Sequence, residues 1–437
     1  MGHVSGKKIY RKLGQKIDHL TLRVPWNDTF YHILKELYST EEADVVVKMP
    51  FNLSPFDRIL KITKYEGSEL YRIIQNLCEK GLVIDLYIHD EYRYMPSPMV
   101  IGIFEFTMMR TGPNLNTREW ARLFHHYLHD DDTFYAANFK NHEKISVMRA
   151  LPHEGTVQPS EYMEVLDYEK ATALIEASDK LAIGLCSCRH EKDHVGAKEC
   201  DVPLETCSAL GVAADTLIRN NFAREVSRAE MLDTLARSKE MGLVLNADNV
   251  RHNIAFICHC CGCCCNALLG ISQFGYANAI VTSSFIAETN LETCEECGAC
   301  AKACPIQAIT MMSVSHPETR RKKEPRIDQG FCLGCGVCAL QCSTGALKLV
   351  KRRKRVIHPE TTFERVMLQS LERGTLQYQI FDNPQSLTQK FMRGFIGAFL
   401  RISPVKKALM SDMFRSTFLK SMKEGVVKKG ETWVVEM

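Results

Sequence analysis

No stretch of this chain approaches the roughly 18 consecutive apolar residues that would span a bilayer. The opening segment, MGHVSGKKIYRKLGQKIDHL, is charged and has no apolar core of the kind an export signal carries. Net charge is only +3 over 437 residues, which nominates neither nucleic acid nor any other partner. No G-x-G-x-x-G follows a strand-like run, so direct use of a dinucleotide is not indicated. Cysteine, by contrast, is plentiful at 19 residues. Thiols in a chain with no visible export signal point to the reducing cytoplasm. Metal-bound thiolates are oxygen-sensitive, which favours an anaerobic setting. An apolar fraction of 45% permits sizeable cores, and the length suits roughly two to four domains.

Eight cysteines form two copies of one spacing. The first is Cys294, Cys297, Cys300 and Cys304, followed by Pro305; the second is Cys332, Cys335, Cys338 and Cys342. Each reads C-x2-C-x2-C-x3-C and resembles the thiolate run that holds cubane iron–sulfur clusters in bacterial ferredoxins. Three closely spaced cysteines wrap one cube, while the fourth points away and completes its neighbour. Cluster I is therefore expected on Cys294, Cys297, Cys300 and Cys342, and cluster II on Cys332, Cys335, Cys338 and Cys304. Gly298, Gly334 and Gly336 lie where the backbone must turn tightly. Ser343 replaces the proline that would follow the second run, which leaves the ligand set complete. A zinc site needs only one pair of C-x2-C units, not two interlocking fours.

Upstream, residues 28–98 resemble a winged helix. Phe30, Ile33, Leu34 and Leu37 repeat at helical spacing, and Glu41–Lys48 suits a second short helix. A third opens at Leu53-Ser-Pro-Phe, and a fourth carries Leu70, Ile73, Ile74 and Leu77 on one face before Gly81. Residues 82–96 read as a hairpin turning at Asp90-Glu91. The fourth helix carries Glu66, Glu69 and Glu79 against Arg72 and Lys80, so it lacks the basic face that DNA requires. DNA is not expected as a partner, and a docking role is favoured. Residues 99–159 form a connecting helical region with a helix from Asn116 or Thr117. Its His125, His126 and His129 lie among Trp120, Phe124 and Tyr127 and are expected to pack or face solvent, not to bind metal.

Residues 160–288 alternate strand and helix: a strand at Tyr162–Leu166, a helix at Tyr168–Ala177, and a strand at Leu181–Leu185. A capped helix follows from Ser227 to Gly242, with further strands at Ile254–Ile257 and Ala279–Thr282. This alternation suggests an α/β layer whose strand ends hold a ligand. Two strands run into cysteines. One leads to Cys186 and Cys188, then Cys200 and Cys207. The other leads to Cys258, Cys260, Cys261, Cys263, Cys264 and Cys265. Further iron–sulfur centres are expected, with zinc as the alternative. Cys186, Cys188, Cys200 and Cys207 make one possible four and four of the six in the second group another, or the two strand ends share. Arg189, His190, His194 and His259 lie nearby as possible cations, while Cys78, in mid-helix, reads as core. Cys260-Cys261-Gly262 is similar to the CCG motif of heterodisulfide reductase catalytic subunits, which bind a non-cubane cluster that reacts with substrate disulfides; that activity is not carried over to this chain. The motif is present once, not as that family's repeated pair.

As a whole the chain resembles multi-cluster iron–sulfur proteins of anaerobic bacteria that end in a two-[4Fe-4S] bacterial-type ferredoxin module. The resemblance implies clusters and supplies neither fold nor substrate. The expected architecture is a multidomain α+β or α/β protein. It comprises an extension (1–27), a winged-helix-like domain (28–98), the connecting region (99–159), a cysteine-rich α/β domain (160–288), a two-cluster ferredoxin domain (289–350) and a basic amphipathic helical tail (351–437). The tail starts at Lys351-Arg-Arg-Lys-Arg355, and in it Lys and Arg outnumber Asp and Glu by 17 to 8. Phe391, Met392, Phe395, Ile396, Phe399 and Leu400 share one helical face beside Lys390, Arg393 and Arg401, ahead of a break at Pro404. Such a face suits an anionic membrane, an acidic partner subunit, or the protein's own core. The leading expectation is a cytoplasmic electron carrier, its tail suited to the inner membrane face, that relays single electrons between a redox partner protein and the upstream site. The alternatives are an oxidoreductase with a substrate-binding upstream cluster and a redox-responsive winged-helix regulator.

Overall fold

The computed structural model describes residues 2–141, 143–160, 165–314, 322–353, 356, 358–428 and 430–436. Four helices follow the expected periodicity closely. Asp28–Leu37 buries Phe30, Ile33, Leu34 and Leu37 and starts where the Asn27 side chain accepts from the Phe30 N–H at 2.8 Å. Thr40–Lys48 opens with a reciprocal box between Ser39 and Glu42. Phe56–Thr63 and Gly67–Glu79 follow, and Gly81 takes a positive φ of 72°. Strands Val83–Ile88 and Glu91–Pro96 form the hairpin, with Ser54–Pro55 added at its edge. The turn falls one residue earlier than expected, at His89-Asp90. Both residues have positive φ, as a two-residue turn matching strand twist requires.

Residues 2–18, expected as an extension, form a helix that packs on Thr40–Lys48. Its Tyr10, Leu13 and Ile17 belong to one core that also contains Phe124, Cys260, Ile306 and Val337. The ferredoxin segment and the N-terminal helices thus share buried surface.

The central sheet has six strands in the order Met148–Leu151, Val244–Asp248, Phe256–Cys260, Glu205–Leu210, Leu181–Leu185, Ala223–Glu225, and every neighbouring pair is antiparallel. The strands of the expected α/β layer are thus antiparallel throughout, which is the α+β arrangement. Leu181–Leu185 and Phe256–Cys260 flank Glu205–Leu210, which runs against both. The carboxyl ends of the outer two and the start of the middle one meet at one edge of the sheet. That edge gathers Cys186, Cys207 and Cys260. The strand expected at Ala279–Thr282 reduces to a turn at Ala277–Ala279 and a single bridge from Val281 to Arg149. The helix expected from Tyr168 begins at Ala171, after a 3₁₀ turn at Asp167–Glu169. Most of the strand expected at Tyr162–Leu166 lies outside the described residues.

Two antiparallel ribbons, Phe285–Thr289 with Leu347–Lys351 and Ile309–Ser313 with Lys323–Ile327, frame the ferredoxin loops. Helices Thr362–Arg373, Leu376–Ile380, Leu387–Leu400, Ser403–Met410, Asp412–Val427 and Thr432–Glu436 complete the chain. They tie back firmly. Asp382 holds Arg58 through two hydrogen bonds of 2.8 Å, and the Glu372 carboxylate accepts from the Lys144 and Ile145 N–H groups at 2.9 Å. Leu400 and Leu419 are buried with Phe363 and Leu371. Lys354 and Arg355 of the basic run lie outside the described residues.

Candidate metal centres

In the ferredoxin segment the positive φ values of Gly298 (75°), Gly334 (67°) and Gly336 (84°) turn the backbone around each cysteine loop. Cys304 lines one cavity with Cys332, Cys335 and Cys338, walled by Ile306, Leu333 and Leu349. The last cysteine of the first run thus faces the first three of the second. Burial pushes the Cys335 thiol up to about 12, and neighbouring Cys332 and Cys304 add to the shift. Such thiols ionise only when a metal takes the proton's place. The Cys304 sulfur accepts from the Ala308 N–H at 3.2 Å and the Cys342 sulfur from the Leu347 N–H at 3.4 Å. Cys297 is exposed, and Cys294, Cys300 and Cys342 are half-buried, so the first loop faces outward. Sulfur-lined pockets, aimed N–H groups and apolar walls fit iron–sulfur clusters.

The ten upstream cysteines separate into two groups. Cys207 lies within hydrogen-bond reach of Cys258, Cys258 of Cys260, Cys260 of Cys265, and Cys265 of Cys188. Cys186 is close enough to Cys188, Cys207 and Cys260 to act on them electrostatically. This six-thiol row draws on both strand ends. The other group is Cys200, Cys261, Cys263 and Cys264, whose sulfurs all lie within 4.8 Å of one another. Cys200 accordingly stands apart from Cys186, Cys188 and Cys207, contrary to one expected grouping. The adjacent Cys260 and Cys261 part company where the strand ends at Cys260 and the chain enters a turn.

Arg189 lies between the groups and is fully buried. Its Nε donates to the Cys261 sulfur at 3.4 Å, while its other nitrogens bind Pro203 O, Thr206 Oγ1 and His259 O. Burial opposes its charge, but Cys186 and Cys261 outweigh that and hold Arg189 above its ordinary value. Hydrogen bonding from Cys264, with help from Arg189, draws the Cys261 thiol down to about 4. The expected histidine cations are placed otherwise. His259 faces Ser208 Oγ at 2.9 Å and is lowered to about 3 by burial, so it is neutral. His190 binds Met108 O and meets His194 at 3.0 Å.

His125 and His129 approach Glu191 closely enough to suggest a metal site. The buried Lys192 ammonium already fills that role, 2.9 Å from His129 Nε2 and 2.7 Å from Glu191 Oε2. Cys78 is buried in the N-terminal core, as expected. One residue escaped sequence reasoning. The Glu105 carboxyl is held up to about 7 by burial and lies near enough to Cys188 and Cys207 to act on both electrostatically. It stands just after a backbone kink at Ile101, with φ of 53°, and no local motif marks it.

The upstream turn touches the ferredoxin segment directly. A Cβ placed on Gly262 would sit 3.0 Å from Pro305 O and 3.2 Å from Pro305 Cα, so the backbone next to Cys261 abuts the residue after Cys304.

Residues 293–346 match the model of the 4Fe-4S dicluster domain family. The chain is 26% identical over 118 residues to the NAD(P)H-quinone oxidoreductase subunit I of Gloeobacter violaceus, an alignment that covers 26% of this chain and 54% of the relative. The chain thus spans about half the length of that relative. No solved structure matches. A 4Fe-4S dicluster ferredoxin domain is present, and with it the capacity for iron–sulfur electron transfer.

Proposed function

We propose that this chain passes single electrons between a redox partner protein and its own six-thiol site, through two [4Fe-4S] clusters with crossed ligands. When bound, such clusters supply one-electron chemistry. The observation that carries this reading is one buried core that holds Cys260 and Cys265 of the six-thiol row, against which Cys188, Cys258, Cys304 and Cys335 also pack. Cys294, Cys297, Cys300 and Cys342 face outward, where a partner reaches them. Ile306, Leu333 and Leu349 keep water from the inner cavity, and the Ala308 N–H lowers the cost of added negative charge on Cys304. Replacing Cys294 and Cys297 together with Ala is expected to leave the EPR spectrum of the upstream centre intact and to slow its reduction by an external one-electron protein donor at least about tenfold. An unchanged rate would mean that electrons enter elsewhere.

A second reading, reduction of a small substrate at the six-thiol site, is favoured by Glu105. A carboxyl held near 7 beside Cys188 and Cys207 suits proton delivery. The exposed acidic residues Glu66, Glu69 and Glu79 on Gly67–Glu79 and its cap favour a winged-helix-like domain that docks protein, not DNA.

The tail helix Leu387–Leu400 is two-sided. Leu400 and Arg393 point inward, and Arg393 donates to Phe381 O and Asn383 O, so it is not a free docking cation. Leu387, Phe391, Phe395 and Phe399 form an outward stripe, 51–82% exposed, beside exposed Lys390 and Arg401. No helix among the described residues is long and apolar enough to cross a membrane. The stripe suits the anionic inner face of the cytoplasmic membrane. Changing Phe391, Phe395 and Phe399 to Ser should leave thermal stability within about 1 kcal/mol, since the rings are exposed. It should also abolish salt-sensitive co-sedimentation with anionic vesicles; equal binding by both proteins would remove the membrane from the proposal.

A further inference from the structure

We infer that Cys200, Cys261, Cys263 and Cys264 form a site for a single divalent thiophilic ion, Zn²⁺, separate from any iron–sulfur centre. The sulfur separations carry the inference. Cys200 Sγ is 3.6 Å from Cys261 Sγ and 4.0 Å from Cys264 Sγ, and Cys263 Sγ is 3.4 Å from Cys264 Sγ. A tetrahedral zinc with bonds of about 2.3 Å sets its thiolates about 3.8 Å apart. A cubane cannot use so tight a group, because each thiolate caps a corner and the four stand roughly 6 Å apart. Among the described residues, this is one of two clusters with three or more ligand atoms mutually within 4.8 Å, and the other, His125, His129 and Glu191, holds the Lys192 ammonium.

Charge and surroundings agree with a closed structural site. Four thiolates around one Zn²⁺ carry two net negative charges. The buried Arg189 guanidinium, with Nε 3.4 Å from Cys261 Sγ, offsets one of them. Val202 and Leu243 pack against the group, and Cys264 is 1% exposed. Four protein ligands leave no position for a substrate, so the ion holds structure and performs no redox step. Binding displaces the remaining thiol protons to solvent.

The site also has a mechanical consequence. Residues 195–204 have no regular secondary structure apart from turns, between the helix Ser187–His194 and the strand Glu205–Leu210. A metal bond at Cys200 fastens this loop to the turn at Cys261–Cys264. That turn includes Gly262, whose backbone rests on Pro305. The ion therefore sets the join between the upstream cysteines and the ferredoxin segment.

The test uses the full chain purified without oxygen. Elemental analysis should find about one zinc per chain in addition to iron and sulfide, and zinc-edge X-ray absorption should report four sulfurs at about 2.3 Å. Cys200→Ser and Cys263→Ser should each lower zinc to under about a tenth per chain, with iron, sulfide and EPR signals retained. If the variants do not fold, mercurial titration of the native protein replaces them: zinc should appear in a colorimetric chelator before any cluster signal falls. Absence of zinc from the native protein, or loss of iron in step with these cysteines, overturns the inference. Neither result bears on the electron-entry test, which reads a rate at Cys294 and Cys297.

Discussion

Cys304→Ala is expected to abolish cluster II and to leave cluster I in place. Cys304 belongs by sequence to the first run, so uncrossed ligation would predict the opposite loss. Its sulfur lines the cavity of Cys332, Cys335 and Cys338. Removing it leaves three thiolates where four are needed and opens a corner to water. Iron should fall by about four atoms per chain, or by about one if a three-iron remnant persists. EPR of the reduced protein separates the two cases, since a lone cluster I loses the magnetic coupling to its neighbour. Survival of the cluster II spectrum with loss of cluster I would make the wiring wrong. The cost reaches the fold as well, because Cys304 also anchors the Ala308 N–H.

The second large effect lies at a residue that ligates nothing. Gly334 has φ of 67°, and a Cβ there would sit 2.1 Å from Phe285 O and 2.4 Å from Ser283 Oγ. Both atoms are buried, and Ser283 Oγ donates to Gly334 O at 2.8 Å. Gly334→Ala therefore meets backbone that cannot move without breaking the ribbon Phe285–Thr289. Left-handed strain alone costs about 1–2 kcal/mol. With the clash added, destabilisation above about 3 kcal/mol is expected, with cluster II lost on purification. Gly345 is the control, because its φ is 65° and nothing lies within 4 Å of an added Cβ. Gly345→Ala should cost only the strain. Equal thermal shifts in the two variants would show that close approach at Gly334 is not what demands glycine there.

The limits of the sequence are clearest at the tail. The apolar face of Phe391, Phe395, Ile396, Phe399 and Leu400 is periodic, and the helix forms where expected. Periodicity cannot say which side a helix buries when both sides are partly apolar. Leu400 turns into the cluster with Phe363 while the phenylalanine stripe stays outside. Arg393, which reads as a surface cation, is drawn inward because backbone carbonyls of Phe381 and Asn383 satisfy its guanidinium.

Local chemistry determined what the sequence alone could settle. Thiolates separated by two or three intervening residues, glycines among them, specify a dicluster ferredoxin segment without reference to the rest of the chain. The N-terminal helices are equally local, since a stripe at Phe30, Ile33, Leu34 and Leu37 needs only helical geometry to become a buried face. The sorting of the upstream cysteines was decided by tertiary structure. Cys200 meets Cys261 across 61 residues, and Cys188 meets Cys265 across a still longer span. Strand order, which spacing does not encode, brings these segments to one edge. The chain leaves the strand at Cys260, and the turn that follows carries Cys261 into a different group of thiols from its neighbour.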